Sequence, residues 1–197
     1  GRHALKISTR ENKYVDIQAE IGYYLSKSKE TLKVSVVIFD AEGNEVAKND
    51  NMLEMRRDRK LYEFALSPMT IENAKLWSCE TPHLYTVEVT LYDAEGKACD
   101  KVTERFGMRT IEFNSKEGFK LNGEKVLLKG IANHHTLGAL GAAAYPRAIE
   151  KRIAMLKEWG FNHIRTSHNP YSDDMLDICD EYGILVVNEL YDKWTTQ

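Results

Sequence analysis

Two periods divide the chain. Up to about residue 112 the apolar positions recur every second residue. YVDIQAEI, residues 14 to 21, sets Val15, Ile17, Ala19 and Ile21 against Asp16, Gln18 and Glu20, the alternation of a half-buried strand. LKVSVVIF, 32 to 39, is a second such segment, and further strands are expected at 62 to 66 and 102 to 113. VSVVIFDAEGNEVAK and VEVTLYDAEGKACDK echo one another, with D-A-E-G at the same place in each. Gly43 and Gly96 supply the positive φ of a tight reversal, so each copy reads as strand, turn and returning strand. Two copies are too few for a solenoid. Short strands joined by turns predict a two-sheet sandwich of roughly 100 residues. Pro82 makes 72 to 85 a loop, where Trp77 is either a core aromatic or a stacking platform, the core role having the stronger prior.

Beyond about residue 113 the period lengthens. KVLLKGIA, 125 to 132, is a strand candidate. Pro146 opens a helix whose stripe of Ile149, Ile153, Leu156 and Trp159 is closed by Gly160. FNHIRT is the next strand. Ser172 N-caps a second helix, with Asp173 and Asp174 in its first turn, Met175, Cys179 and Tyr182 on its buried side and Gly183 at its end. ILVV, 184 to 187, is the continuous apolar run of a strand covered on both faces. The order β-α-β-α-β with right-handed crossovers builds either an open doubly wound sheet or an eight-stranded barrel. No G-x-G-x-x-G follows the first strand, which argues against a dinucleotide site. Both architectures place ligands at the carboxyl ends of the strands. Those ends carry Asn133, His134 and His135, then Arg165 to Asn169, then Asn188, Glu189 and Asp192.

Composition narrows the function classes. The chain is 43% hydrophobic and 29% charged with a formal net charge of −3. It lacks the basic stripe of a nucleic-acid binder and the run of about 20 apolar residues of a membrane helix. Its 3 cysteines, Cys79, Cys99 and Cys179, have no C-x-x-C spacing and read as small buried or half-buried thiols. No cofactor is expected, and compartment stays open. His134 and His135 lack a third ligand at metal spacing, so no metal site is expected. Ser167-His168 lacks the setting of a nucleophile and its base. His163 is expected to be a packed or hydrogen-bonded strand residue.

The run N-H-I-R-T-S-H-N-P-x4-M-L-x3-D-x2-G-I-L-V-V, 162 to 187, closely resembles the signature of glycoside hydrolase family 2, the β-galactosidases, β-glucuronidases and β-mannosidases. FGMRTIEF and GFKLNGEKVLLKGIANHH are similar to that family's passage from sandwich to barrel, and LWSCETPHLYTVEVTLYD to its late sandwich strands. The resemblance implies a multidomain β plus α/β chain: an immunoglobulin-like sandwich over 1–112, then over 113–197 the first β-α-β-α-β portion of an incomplete (β/α)8 TIM barrel. It assigns Arg165 and His168 to the substrate pocket, His134 to the end of the first barrel strand and Glu189 to the acidic position after the third. Arginine and histidine donate to sugar hydroxyls, a carboxylate accepts, and Trp194 offers a pyranose an apolar face. Asn169 replaces the tyrosine of S-H-Y-P, as in one galactosidase-like branch. Thr136 and Asn188 each stand where a carboxylate is common.

Retaining glycosidases need two carboxyl groups about 5 Å apart. In this family those glutamates follow the fourth and seventh barrel strands. The expectation is therefore a fragment of a retaining β-glycosidase, β-galactosidase-like, that binds carbohydrate through His134, Arg165, His168, Asn169, Glu189 and Trp194 but holds no catalytic pair. Open barrel edges imply self-association. The competing classes are a non-catalytic binding module for carbohydrate or protein, and a structural spacer.

Overall fold

The structure, a computed structural model, describes residues 5–22, 28–56, 62–133, 146–166 and 173–188. Contacts divide the chain into two units: Gly1–Lys75 with Tyr85–Met108, and Leu76–Leu84 with Arg109–Gln197.

The first unit is a sandwich. One sheet orders β1 (Leu5–Arg10), β2 (Tyr14–Ile21) and β5 (Tyr62–Ala65), with β6 (Met69–Thr70) also paired to β2. The other orders β4 (Glu45–Arg56), β3 (Lys29–Phe39), β7 (Tyr85–Tyr92) and β8 (Ala98–Phe106), all antiparallel. The two-residue period selects the core: Val15, Ile17 and Ala19 from β2, and Leu32, Val34, Val36 and Ile38 from β3, are all buried. Leu32, Met55 and Tyr62 form a cluster joined by Ile21, Phe64 and Leu91, so both sheets contribute to one interior.

The repeated D-A-E-G is one turn built twice. Asp40 Oδ1 accepts from the amides of Glu42 at 3.0 Å and Asn44 at 2.8 Å. Asp93 Oδ1 accepts from those of Glu95 at 3.0 Å and Lys97 at 2.8 Å. Gly43 and Gly96 take φ values of 86° and 83°. The aspartate side chain mimics a backbone turn while glycine takes the left-handed position, which explains the shared motif without shared ancestry. The Asn44 amide, first among several donors, holds the Asp40 carboxyl below its ordinary range.

The second unit contains a hairpin sheet, β9 (Ile111–Asn114), β10 (Gly118–Leu121) and β11 (Glu124–Lys125), and a parallel sheet in the order β12 (Gly130–Asn133), β13 (His163–Thr166) and β14 (Leu185–Asn188). Helices α1 (Pro146–Glu158) and α2 (Asp173–Tyr182) make the two crossovers. Ile153, Leu156, Ile164, Cys179 and Ile184 form the core between helices and sheet.

Three local expectations are corrected. The strand expected over 102 to 113 is two strands, ending at Phe106 and resuming at Ile111, and they belong to different units. The strand expected from 125 begins at Gly130, after an irregular stretch. Trp159, expected on the buried stripe of α1, is 65% exposed. It follows the last helical residue, and the chain closes there in a Schellman motif. The Gly160 amide donates to the Lys157 carbonyl at 3.0 Å and the Phe161 amide to that of Leu156 at 3.0 Å. Phe161 packs on the core beside Leu156, so the residue after the glycine takes the apolar place. Ser172 lies outside the described residues.

Candidate functional site

The three parallel strands finish level. Asn133 pairs with Thr166, and Thr166 with Asn188, so the last residues of β12, β13 and β14 form one row. One row back, Arg165 lies between Ala132 and Val187. Of the residues assigned to substrate, Arg165 alone falls on a described strand. His134, His168, Asn169, Glu189 and Trp194 lie outside the described residues, although His134 and Glu189 directly follow Asn133 and Asn188 in sequence.

The opposite ends of these strands are built from backbone hydrogen bonds and an apolar plug. Asn162, just before β13, ties all three strands together. Its Oδ1 accepts from the Lys129 amide at 2.8 Å, and its Nδ2 donates to the Leu127 carbonyl at 2.9 Å. Its own amide donates to the Lys129 carbonyl at 2.8 Å, and its carbonyl accepts from Leu185 at 2.8 Å. The amide, the carbonyl and both polar side-chain atoms of this one asparagine thus each make a bond that aligns strand starts.

Strand pleating separates two faces of the sheet. Ile164 and its neighbour Val186 pack with the helices. Leu185, in the alternate row, packs instead with Trp77, Cys79, Phe119 and Leu121, with Leu84, Val126 and Leu128 against them. The hairpin β10–β11 and the segment Leu76–Leu84 therefore close the amino-terminal half of the face that turns away from the helices. The hairpin turn is Asn122-Gly123, with φ of 55° and 83°, the two positive values a type I′ turn requires. Asn122 also accepts from the Thr110 amide at 2.9 Å and donates to the Trp77 carbonyl at 2.9 Å.

Trp77 is wholly buried, which settles its role as a core aromatic. Its indole N–H donates to the Asp180 carbonyl at 2.8 Å, and the Arg109 guanidinium lies 4.3 Å from its ring centroid. The same guanidinium pairs with the Asp180 carboxylate at 3.1 Å. A cavity of about 710 Å³ is lined by Ser78, Glu80, Lys125, Lys129, Lys157 and Asn162 among others. It lies at the strands' amino ends, away from the row ending in Asn133, Thr166 and Asn188.

The thiols have contrasting surroundings. Burial raises Cys79 above the ordinary thiol range and pushes Cys179 up to about 12. Cys99, expected to be buried or half-buried, is instead exposed on β8, and partial desolvation, with Asp93 and Asp100 nearby, raises its thiol as well. Among the described residues no group of three or more His, Cys, Asp or Glu side chains is placed to hold a metal ion.

A β-sandwich followed in the chain by parallel β-α-β-α-β, with Asn133, Thr166 and Asn188 level where the parallel strands end, is the architectural class of a sandwich joined to the start of a (β/α)8 barrel. The chain belongs to glycosyl hydrolases family 2: the family model matches residues 3–109, and the model described as "Glycosyl hydrolases family 2, TIM barrel domain" matches 112–193.

Among curated relatives, the β-galactosidase BoGH2A of Bacteroides ovatus is 38% identical over 169 residues, covering 86% of this chain and 20% of the relative. A β-glucuronidase of Bacteroides fragilis is 35% identical over 124 residues, covering 62% of this chain and 18% of the relative. The crystal structure of a family 2 member from Bacteroides cellulosilyticus superposes with a TM-score of 0.83 at 31% identity, covering 98% of this chain and 27% of that one. For a β-glucuronidase of Bacteroides uniformis the TM-score is 0.80 at 29% identity, covering 93% and 22%. The chain thus spans about a fifth of the length of the curated relatives it matches, 20% and 18% for these two.

Proposed function

We propose that this chain supplies part of the substrate rim of a retaining β-glycosidase acting on O-glycosyl bonds, with a β-galactoside as first candidate. His134, Arg165, His168, Asn169, Glu189 and Trp194 recognise the sugar in this reading. The observation that carries it is the level row of Asn133, Thr166 and Asn188. The row gives the residues that follow these strands a common starting edge, while the apolar plug closes the amino end of the sheet on the face to which Leu185 belongs. Ligand approach is then from the carboxyl ends, the side on which barrel enzymes bind substrate. By the two-residue period of a strand, position 165 belongs to the face opposite Ile164.

The proposed set holds one carboxylate, Glu189, whereas retention needs an acid/base and a nucleophile about 5 Å apart. A polypeptide of these 197 residues is therefore expected to bind sugar weakly and to turn none over. Incubation with nitrophenyl β-galactoside and β-glucuronide should release no nitrophenol above buffer. Turnover abolished by Glu189→Gln would overturn the inactivity. Titration with galactose, followed by amide NMR, should shift Asn133, Thr166 and Asn188. Shifts confined to the sandwich strands would replace the rim with a binding module, and no shift anywhere would favour a spacer.

A further inference from the structure

We infer that Leu76–Leu84 is a strap that locks the amino end of β14 to the C-terminus of α2, so that the strand leading to Asn188 takes its position from residues encoded inside the sandwich sequence. The inference concerns the fold's own coupling and does not rest on the glycosidase reading.

The strap leaves the sandwich between Lys75 and Tyr85, and its base is pinned there. The Lys75 amide donates to Tyr85 Oη at 2.8 Å. Within the strap, Ser78 and Thr81 close a turn through the Ser78 amide to the Thr81 carbonyl and the Thr81 amide to Ser78 Oγ, each 3.0 Å. The strap groups with the second unit, and three of its contacts there fall on consecutive features of one short run.

Trp77 donates to the carbonyl of Asp180, in the last turn of α2. The Cys79 carbonyl accepts from Lys157 Nζ, which also reaches the Gly183 carbonyl at 3.4 Å. Leu185, the first residue of β14, completes the cluster with Trp77 and Cys79. Asp180, Gly183 and Leu185 are thus all touched within six positions of sequence, and Asn188 lies three strand residues further on.

The closeness at Gly183 separates a strap from ordinary packing. Gly183 and Gly160 do the same local work: each closes a helix, with φ of 76° and 87°. Around Gly160 an added Cβ would meet nothing within 4 Å, whereas at Gly183 it would lie 2.3 Å from the Cys79 carbonyl oxygen and 3.0 Å from its carbon. Both obstructing atoms are backbone, so no side-chain rotation relieves them. Gly183→Ala must displace the strap, while Gly160→Ala must bear only the left-handed φ.

Amide and indole hydrogen exchange on the whole 197-residue chain reads the difference. Gly183→Ala should accelerate exchange of the Leu185 amide and the Trp77 indole by at least about tenfold, leaving Val34 and Val36 in the sandwich unchanged. Gly160→Ala should move those two probes less than about threefold. Equal acceleration by the two variants would overturn the strap, since the φ penalty would then account for everything. Should Gly183→Ala fail to fold, Trp77→Phe retains an aromatic ring but removes the indole donor. It should accelerate Leu185 selectively over Ile153 of α1, and uniform or absent acceleration would overturn the inference.

Discussion

Replacing Trp77 by alanine should destabilise the second unit by about 3–5 kcal/mol, the range for a buried tryptophan truncated to a methyl. Three losses coincide. The indole leaves a void among Cys79, Phe119, Leu121 and Leu185. The Asp180 carbonyl loses the indole hydrogen bond, and Arg109 loses the ring face it covers. Typical domains hold about 5–15 kcal/mol in total, so the loss is a large share of what keeps the unit folded. Because α1 and α2 are both in that unit, urea unfolding followed by helical circular dichroism reports on it directly. A midpoint within a few tenths of the parent's molarity would mean that Trp77 is dispensable.

The second large effect is alkaline. Cys179 is fully buried among Ile153, Leu156, Ile164 and Ile184, and burial, with a smaller contribution from Asp180, raises its thiol from 9.0 to about 12. Below about pH 9 the thiol is protonated in both folded and unfolded chains and the stabilisation is fully present. As pH rises toward about 12 the unfolded chain sheds the proton and the folded chain keeps it, so stability falls. Three pH units at about 1.4 kcal/mol each set an upper order of about 4 kcal/mol. Cys79 and Tyr182 are raised as well, Cys79 by burial and Tyr182 first by its hydrogen bond to Glu150, and they act in the same direction.

The contribution of Cys179 is therefore read as a difference. Cys179→Ala should show a shallower loss of stability between pH 9 and 11 than the parent, by close to one proton. Identical slopes would remove Cys179 from the account. At pH 8 a disulfide reagent should label Cys99 in the native chain and reach Cys79 and Cys179 only after denaturant is added, because the thiolate is the reactive form and two of the three thiols are buried. Native labelling of Cys179 would mean that the helix–sheet core opens readily.

The sequence was most legible where a period and a punctuating residue agreed. Alternation in β2 and β3 marked their buried rows, and Gly43, Gly96, Gly160 and Gly183 marked chain reversals that are all present with positive φ. Asn122-Gly123, between the strands expected at 102 to 113 and 125 to 132, carried an equally strong hairpin signal to which no element was assigned. Contacts between distant segments were not legible. Trp77 and Asp180 are separated by 103 residues, and nothing in LWSCETPHL says which surface it will meet. Asn162 looked like one more polar residue ahead of a strand, whereas its hydrogen bonds align three strands, a role that depends on neighbours brought close only by the crossovers. The candidate rim was legible as a set of strand ends, because topology alone fixes where a parallel strand finishes. Arg165 shows the limit of that reading: its register is fixed, and its chemistry depends on segments beyond the described strands.

The placement of Trp77 bears on how genes of this kind can be cut and recombined. A second unit cloned from Arg109 onward would lack its own stopper, although every described strand and helix of that unit would be encoded. A chimera that exchanged sandwiches at the same junction would import a foreign one. Modules that look separable along the reading frame are, at these nine residues, interleaved, and a crossover that respects the physics must carry Leu76–Leu84 with the barrel.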